Sequence, residues 1–293
     1  MENQMNGTKG ATATGNFWLL VMVAAGLFAN PQMQDVFAQC GGREAGCCGE
    51  DSLENIFHSN SFWASALMGC SDEETTMGNR LWVGPRWERR SGNDAAFPVE
   101  GSINGVSVGW RSRNADAVFL SVEGVFNDGE FKPTTGGRTD YEEWQIEALV
   151  GYTFTNECRS LFVTPYTGIR YREAENVLGA PLNLNVDQDV WTAPFGVRTD
   201  FLLTDTIAIG LDARLQWKIE DEQLVTAAAF TIPDEAEHDL TYRLDAPVTF
   251  RVCSRGEIEV RPYYEWDRFD SDAGNRKTRI DEYGGQVSFI LRY

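Results

Sequence analysis

Basic residues are scarce in this sequence. It contains 25 Lys and Arg against 44 Asp and Glu, which gives a formal charge of −19 at pH 7. A protein that binds nucleic acid through its phosphates needs a basic surface, so this composition argues against nucleic acid as the main partner. An acidic surface by itself favours solubility and does not indicate one particular chemistry.

Histidine is also scarce, and the motifs of common catalytic and metal sites are missing. Only His58 and His238 could act as acid–base groups near neutral pH. The sequence contains no Gly-x-Ser-x-Gly, His-Glu-x-x-His or Cys-x-x-Cys motif and no phosphate-binding glycine loop. We therefore predict no catalytic residue, no metal site and no cofactor, and we expect that the protein is not an enzyme.

No apolar run reaches the length of about 20 residues that a membrane-spanning helix needs. The run FWLLVMVAAGLFA at residues 17–29 has 13 residues and fits the apolar core of a secretory signal. Val36 and Ala38 then supply small residues at the −3 and −1 positions before Gln39. We predict a signal peptide at residues 1–38. An N-terminal anchor that stays on the protein is the alternative.

Six cysteines follow this segment, and in an exported protein an even number of cysteines indicates disulfides. A zinc site is the alternative, and the sequence does not determine which cysteines pair. Residues 39–78 carry most of them and are predicted to form a periplasmic segment, either a tether or a plug that enters or packs beneath the following domain. The disulfide candidates are Cys40, Cys47, Cys48, Cys70, Cys158 and Cys253.

From residue 79 onward, segments of ten to sixteen residues alternate apolar and polar positions. Residues 207–218 show this well, because the odd positions are apolar up to Trp217 while most even positions are polar. A period of two is typical of a β-strand with two different faces. The predicted strands are 79–90, 99–112, 115–127, 140–155, 160–173, 187–201, 204–218, 238–253, 256–269 and 281–293.

The connections between these segments fall into two classes that alternate strictly along the chain. The short ones lie near 113–114, 156–159, 202–203 and 254–255. The long ones, rich in Gly, Asp and Glu, lie near 91–98, 128–139, 174–186, 219–237 and 270–280. An up-and-down antiparallel meander with all short turns at one end produces this alternation. With ten strands, both ends of residues 79–293 lie at the short-turn end.

Full charges of both signs on the polar faces distinguish a membrane barrel from a soluble one. A soluble barrel would turn its apolar face inward, and its charges would then be outside. Aromatic residues on the apolar faces recur ten residues apart, which at about 3.3 Å per residue and a tilt of about 40° spans about 25 Å, the height of a lipid-facing band. The predicted aromatic girdle comprises Trp144, Phe154, Trp191, Phe201, Tyr283 and Tyr293.

The signal-like N-terminus, the alternating segments and the last strand GGQVSFILRY resemble the bacterial outer-membrane β-barrel proteins. This resemblance implies an all-β transmembrane barrel over residues 79–293, with both termini in the periplasm and outer-membrane lipid around it. In that class, the barrel-insertion machinery recognises the last strand and its terminal aromatic residue. The matching residues here are Val287, Phe289, Leu291 and Tyr293.

The inward positions of such a barrel are predicted to carry charges that pair across strands. A narrow barrel of ten strands leaves two alternatives, a charge-paired network that nearly fills the lumen or a thin path for ions or solutes. The predicted lumen charges are Glu143, Glu147, Arg170, Arg172, Arg198, Asp212, Arg214, Arg243, Asp245, Arg251, Glu257, Glu259, Arg261 and Glu265.

The expected function is therefore structural or porin-like. An adhesin that binds a surface ligand through the acidic connections 128–139 and 219–237 is the alternative. The ten-stranded omptin proteases resemble this chain in size, and they carry an Asp-x-His pair near the position of His238. Here residue 236 is Ala, and the facing acids would be Asp140 and Glu142. We therefore rank a protease below both.

Overall fold

The structure is a computed structural model that describes residues 78–92, 99–133, 139–156, 159–178, 184–227, 230–235, 240–253, 255–271 and 276–293. The predicted signal peptide and all of the predicted cysteine-containing segment except Gly78 lie outside these residues. No helix within these ranges is long and apolar enough to cross a membrane.

The described chain forms strands at the predicted positions. Two strands, Leu240–Asp245 and Val248–Arg251, occupy the place predicted for the eighth strand, and the strand Phe230–Glu235 lies before it in the predicted connection 219–237, so the barrel has ten strand positions. The bounds are β1 Gly78–Gly92, β2 Val99–Arg113, β3 Ala117–Pro133, β4 Thr139–Thr155, β5 Leu161–Leu178, β6 Leu184–Leu202, β7 Ile207–Ala227, β8 Phe230–Glu235, β9 Leu240–Asp245, β10 Val248–Arg251, β11 Gly256–Ser271 and β12 Arg276–Arg292.

The last strand closes the sheet on the first one. β12 pairs antiparallel with β1, with Arg292 opposite Arg80 and Gly285 opposite Trp87. From β1 to β7 each strand pairs antiparallel with the next one, and β7 pairs along its length with β10, β9 and β8 in turn. β9 and β10 pair with β11 on their other side, whereas β8 pairs with β7 alone among the described strands. The sheet is thus closed into a ring, which is the condition for a sheet in lipid. The prediction of a ten-stranded up-and-down barrel is confirmed.

The two faces of the wall have opposite polarity, and the apolar face is the outer one. Large apolar side chains such as Ile146, Phe195, Leu211 and Trp217 are among those most exposed to the outside. The charged residues between them in sequence are buried inside the ring. A soluble barrel would show the reverse arrangement, so this finding excludes that alternative.

The prediction of long loops is wrong for part of their length. β3 continues to Pro133 and β4 begins at Thr139, so the predicted connection 128–139 is mostly paired strand. Likewise, β7 and β8 form a hairpin, with Ala227 opposite Phe230, across the predicted connection 219–237. Backbone pairing needs no apolar side chain, so the strands continue where the apolar alternation stops. We call the end of the barrel at which these strands are extended, and which carries the β7–β8 hairpin, the hairpin end.

The opposite end carries short turns at 114–116, 156–160, 203–206 and 252–255, and we call it the short-turn end. Asp116 has a φ of 50°, and its carboxylate accepts hydrogen bonds from the backbone N–H and hydroxyl of Thr155. The Asn156 side chain accepts hydrogen bonds from the N–H groups of Ser160 and Leu161. Polar side chains thus satisfy the turn backbone, as is usual for tight turns.

Two adjacent glycines in β12 allow a ring to lie against each face of the wall. A Cβ on Gly284 would come within 2.4 Å of the Trp87 carbonyl oxygen and within 2.6 Å of the Tyr263 hydroxyl, which is inside the barrel. A Cβ on Gly285 would come within 2.5 Å of the Trp87 indole ring, which lies outside. The glycine pair that begins GGQVSFILRY therefore fits one aromatic residue on either side.

Candidate functional site: the charged lumen

All fourteen predicted lumen charges point to the inside of the barrel. Eleven of them are buried, whereas Arg172, Arg214 and Arg251 are half-buried. The alternation of strand residues places them there, because each occupies the parity opposite to the apolar outer face. What the lumen can do depends on how these charges pair.

The charged side chains of the lumen form layers between its two ends. Tyr263 lies at the centre of the middle layer. The guanidinium groups of Arg86 and Arg243 lie 4.7 Å and 4.3 Å from the centroid of its ring. Its hydroxyl donates to Glu88 at 2.7 Å. Arg243 also forms ion pairs with Asp245 at 2.9 Å and with Glu265 at 3.3 Å. Two cations therefore share one ring, and acidic side chains bind both of them.

A second cluster lies beside it, across β4, β5 and β7. Arg214 binds both oxygens of Glu147, at 2.9 Å and 3.0 Å, and contacts Asp212 at 3.3 Å. The Tyr166 hydroxyl donates to Asp212. A Cβ on Gly196 would come within 2.5 Å of the Tyr166 ring, so the missing side chain of Gly196 makes room for it. These side chains reach across the lumen, because β4 and β7 are not neighbours.

Arg90 organises the layer nearest the hairpin end. It contacts Glu282 at 2.5 Å, Glu88 at 3.1 Å and Glu143 at 3.5 Å. Its Nη1 also donates to the Tyr141 hydroxyl at 2.9 Å, and Tyr141 donates to Glu143. One cation thus bridges three carboxylates from β1, β4 and β12.

The layer nearest the short-turn end is dominated by arginine. Glu259 accepts from Arg261 at 2.6 Å and contacts Arg198 at 3.6 Å. Asp200 binds Arg198 at 3.0 Å and also binds Arg113. Glu259 and Asp200 therefore each bind two arginines.

Side chains fill most of the lumen. Glu259, in the layer nearest the short-turn end, and Asp245, at the end of β9, retain only 1% of their exposure. A polar cavity of about 10 Å³, lined by residues that include Arg170, Gln216 and Thr241, has room for about one water molecule. Burial this complete leaves little room for water around these two carboxylates.

Two pairs of opposite charges lie directly opposite each other on adjacent strands, as expected for inward charges that pair across strands. Arg243 lies opposite Glu265, and Arg251 lies opposite Glu257. Glu143 lies opposite Ala174 rather than opposite an arginine, with Arg172 one diagonal step away. The turn at 156–160 is longer than expected, and this sets the register of β4 and β5.

Sequence reasoning missed several lumen charges on the first three strands and at the strand ends. The same parity rule would have found most of them, but the apolar faces of β1 and β2 are interrupted by Pro, Gly and Ser, which hides the alternation. Asp221 escapes the rule because a bulge between β6 and β7 shifts the parity of β7 after Lys218. These additional inward charges are Arg80, Arg86, Glu88, Arg90, Arg111, Arg113, Glu123, Asp200, Asp221 and Glu282.

The predicted girdle residues lie on the outer face. Trp144 and Trp191 pack on either side of Tyr171, with ring centroids 5.0 Å and 4.7 Å apart, and form an aromatic row toward the hairpin end. Phe154, Phe201 and Tyr293 lie toward the short-turn end, whereas Tyr283 lies toward the hairpin end.

The residues predicted for insertion lie on β12 and immediately after it. Val287 and Phe289 are half-buried on the outer face, Leu291 is buried and Tyr293 is exposed. The Tyr293 hydroxyl accepts a hydrogen bond from the Trp110 indole at 2.9 Å, and its backbone N–H donates to the Asn79 carbonyl. The last residue is therefore bound to both β1 and β2.

Most of the cysteines and histidines named in the sequence analysis lie outside the described residues. Cys253 is buried next to the turn at 252–255, while Cys40, Cys47, Cys48, Cys70 and Cys158 lie outside the described residues. His58 and His238 lie outside them as well. Disulfide pairing thus remains a prediction.

Acidic side chains face one another on the outside of the hairpin end. Asp128, Glu142, Glu175 and Asp187 occupy directly opposite positions on β3, β4, β5 and β6. The pKa of Glu142 is raised by partial burial and by the neighbouring carboxylates of Asp128, Glu175 and Asp140. We call these four residues the acidic row. No group of three or more acids, His or Cys in the described part of the chain is arranged to hold a metal ion.

The fold is similar to solved structures of outer-membrane proteins. The translocator domain of the autotransporter NalP from Neisseria meningitidis superposes with a TM-score of 0.50 at 8% identity, over 78% of this chain and 93% of that one. The outer-membrane protease OmpT from Escherichia coli superposes with a TM-score of 0.48 at 9% identity, over 75% and 97%. No protein-family model and no curated protein sequence matches the chain. At such low identity the likeness concerns the fold alone, which is that of the outer-membrane β-barrels.

Proposed function

We propose that this protein is an integral β-barrel of a bacterial outer membrane with a structural role, and that its narrow, charge-lined lumen is too full to act as an open pore. The observation that carries this proposal is the burial of the lumen charges in pairs and clusters behind an apolar outer wall. Paired charges cost far less to bury than isolated ones, so the network props the barrel open from inside.

A porin-like role is the nearest alternative, because a lumen lined by charges of both signs resembles a selectivity path. Against it, Glu259 and Asp245 are almost fully enclosed, and Tyr263 lies between two arginines. Conduction would require these side chains to separate, which would leave buried charges unpaired.

Single-channel recording in planar bilayers tests the choice. We expect no discrete conductance steps from the refolded protein, and we expect steps once Arg243 and Tyr263 are both replaced by Ala. Steps of porin size from the unchanged protein would contradict the structural role. Cleavage of a basic peptide by the silent protein would instead favour the protease.

Insertion into the membrane is expected to depend on the last residue. Tyr293 is exposed, at the end of the strand that closes the barrel, in the place where the insertion machinery would read an aromatic residue. Deletion of Tyr293 should lower the amount of protein in the outer-membrane fraction, while the molecules that assemble keep their heat-dependent shift in gel mobility. Normal levels of the deletion variant would contradict this role.

The orientation and the processing of the chain are also part of the proposal. The short-turn end would face the periplasm, residues 1–38 would be removed, and the six cysteines would form disulfides after export. The mass of the protein isolated from outer membranes, before and after reduction and alkylation, measures both the cleavage site and the number of disulfides.

A surface-binding role has one observation in its favour. The acidic row lies beyond the aromatic row of Trp144, Tyr171 and Trp191, where the wall would leave the membrane. Such a surface suits a ligand that carries positive charge. Salt-sensitive binding of a lysine-rich peptide to liposomes that contain the protein, reduced in the Glu142→Gln and Glu175→Gln double variant, would support it.

A further inference from the structure

Basic side chains exceed acidic ones at the short-turn end of the lumen. Within five residues of the ends of the strands there, seven inward side chains are basic and four are acidic. The excess is local, because Arg90 alone binds three carboxylates in the layer nearest the hairpin end. The basic members are Arg80, Arg111, Arg113, Arg198, Arg251, Arg261 and Arg292, and the acidic members are Asp200, Asp212, Glu257 and Glu259.

Arg111 is a basic residue of this group that has no carboxylate partner among the described residues. Its side chain is 7% exposed, and its Nε has no hydrogen-bond partner. Within the described residues, Arg111 has no ion pair, and its guanidinium lies 5.0 Å from the centroid of the Trp82 ring. The face of an indole ring attracts a cation, but it does not supply a counter-charge.

The charged groups around Arg111 increase the imbalance. The charges that act on it most strongly include three cations, Arg198, Arg261 and Arg80, and one carboxylate, Glu259. Glu259 is already engaged by Arg198 and Arg261, and Arg80 is engaged by Glu257 at 3.3 Å. Among the described residues, each of the four carboxylates of this layer already has an arginine partner other than Arg111.

A guanidinium keeps its proton in proteins, so Arg111 cannot lower its burial cost by becoming neutral. An unpaired buried charge is strongly destabilising, and a bound counter-ion removes that cost. We propose that the lumen binds a small inorganic anion between Arg111 and its neighbours at the short-turn end.

The neighbouring side chains suit such a ligand. Arg113, two residues along the same inward face, uses Nη1 for Asp200, while its Nε and Nη2 have no hydrogen-bond partner. Arg251 and Arg292 are half-buried at the rim of the same end, so an anion entering from solvent would first meet positive charge. Chloride and phosphate share the chemistry of this site, which opens toward the end of the barrel where Gly78 and Tyr293 lie.

Line broadening of the chloride-35 magnetic resonance signal tests the proposal on the full mature chain refolded in detergent micelles. The unchanged protein should broaden the signal, and the Arg111→Met variant should bind chloride about tenfold more weakly, since loss of a charge-assisted contact of about 1.4 kcal/mol has this effect. The control is Arg89→Met, which removes an arginine of the exposed outer face and should leave the broadening unchanged.

A second variant predicts the opposite change. Glu259→Gln removes the carboxylate that binds Arg198 and Arg261, so chloride should bind several-fold more tightly than in the unchanged protein. The measurement on Glu259→Gln tests the anion-binding proposal even if Arg111→Met does not refold. Equal broadening by the unchanged protein and Arg111→Met, or weaker binding by Glu259→Gln, would overturn the proposal. Binding is measured without any conduction, so the proposal can fail independently of the structural role.

Discussion

Carboxylates occur in two places in this barrel, and their partners differ completely. Inside, Glu147 binds Arg214 across the lumen, and Glu265 binds Arg243 of the neighbouring strand. Outside, at the hairpin end, Glu142 lies between Asp128 and Glu175 on the adjacent strands. Acidic residues therefore stabilise the inner face of the wall through ion pairs, whereas at the hairpin end of the outer face they repel one another.

Solvent explains why both arrangements can exist. Water screens the acidic row on the outside, so like charges opposite one another cost little there. The lumen excludes water, and a charge without a partner would be costly. Cross-strand complementarity is thus required inside the barrel and optional outside it.

The largest expected effect comes from breaking the inner network. Replacement of Arg243 by Leu leaves Asp245 and Glu265 without this partner and removes a cation from Tyr263. Loss of one partner from a buried ion pair costs about 3–5 kcal/mol, so the free energy of unfolding should fall by about that amount. Urea unfolding of the refolded protein in micelles measures it.

The matched outer variant is Arg89→Leu. Arg89 forms its ion pair with Glu100 on the exposed outer face, where solvent screens such pairs and they contribute little to stability. If Arg89→Leu lowered the free energy of unfolding as much as Arg243→Leu does, ion pairs on the inner and outer faces would not differ in their contribution to stability. Unchanged unfolding of Arg243→Leu, together with altered conductance, would show that the charge serves transport rather than stability.

Alanine substitutions at Gly284 and Gly285 in β12 compare the inner and outer faces, and we expect a smaller loss of stability from them than from Arg243→Leu. Gly284→Ala brings a methyl group against the Trp87 carbonyl and against Tyr263, whose hydroxyl is held by Glu88. Overpacking of this kind costs about 1–3 kcal/mol. Gly285→Ala meets only the indole of Trp87, which is 47% exposed and free to move, so we expect a smaller loss of stability.

The order of these two variants is the useful result. Thermal unfolding followed by gel mobility should place Gly285→Ala between the unchanged protein and Gly284→Ala. The reverse order would mean that the inner network adapts more easily than the outer face.

The smallest expected effect comes from the acidic row. The pKa of Glu142 is raised above its ordinary value, so the folded protein binds more protons than the unfolded chain between the two values. Stability therefore falls as pH rises through the folded pKa, and the repulsion is absent below the ordinary value. Glu142→Gln should be more stable than the unchanged protein at pH 7 by at most about 0.5 kcal/mol, and equally stable at acid pH.

Glu100→Gln is the control for this prediction. It removes an exposed carboxylate that faces Arg89 rather than other acids, so it should give no gain in stability at pH 7. An equal gain from both variants would indicate an effect of total charge instead of local repulsion. Urea unfolding at several pH values separates the two.

The sequence predicted the barrel well because period-two alternation reports directly on the two faces of a strand. The segment at residues 207–217 and the last strand both have the faces that their parity indicated. The prediction failed where the apolar signal stops. Residues 128–133 and 219–227 continue as strand, since backbone pairing does not depend on side-chain polarity.

The lumen was only partly predictable for a different reason. Parity shows which charges point inward, but not which of them meet. Arg214 binds Glu147 from a strand that is not its neighbour, and Arg90 collects carboxylates from three strands. Such contacts depend on the shear and diameter of the closed ring, which no local pattern contains.

The sequence by itself determined the ten strands, the inner and outer faces, and the closure of GGQVSFILRY onto the first strand. Local alternation and turn chemistry suffice for these features. Only the tertiary structure decided that the lumen is nearly full, that acids face acids outside, and that Arg111 is left without a carboxylate. These outcomes depend on distances across the closed ring, and the ring exists only after the last strand has paired with the first.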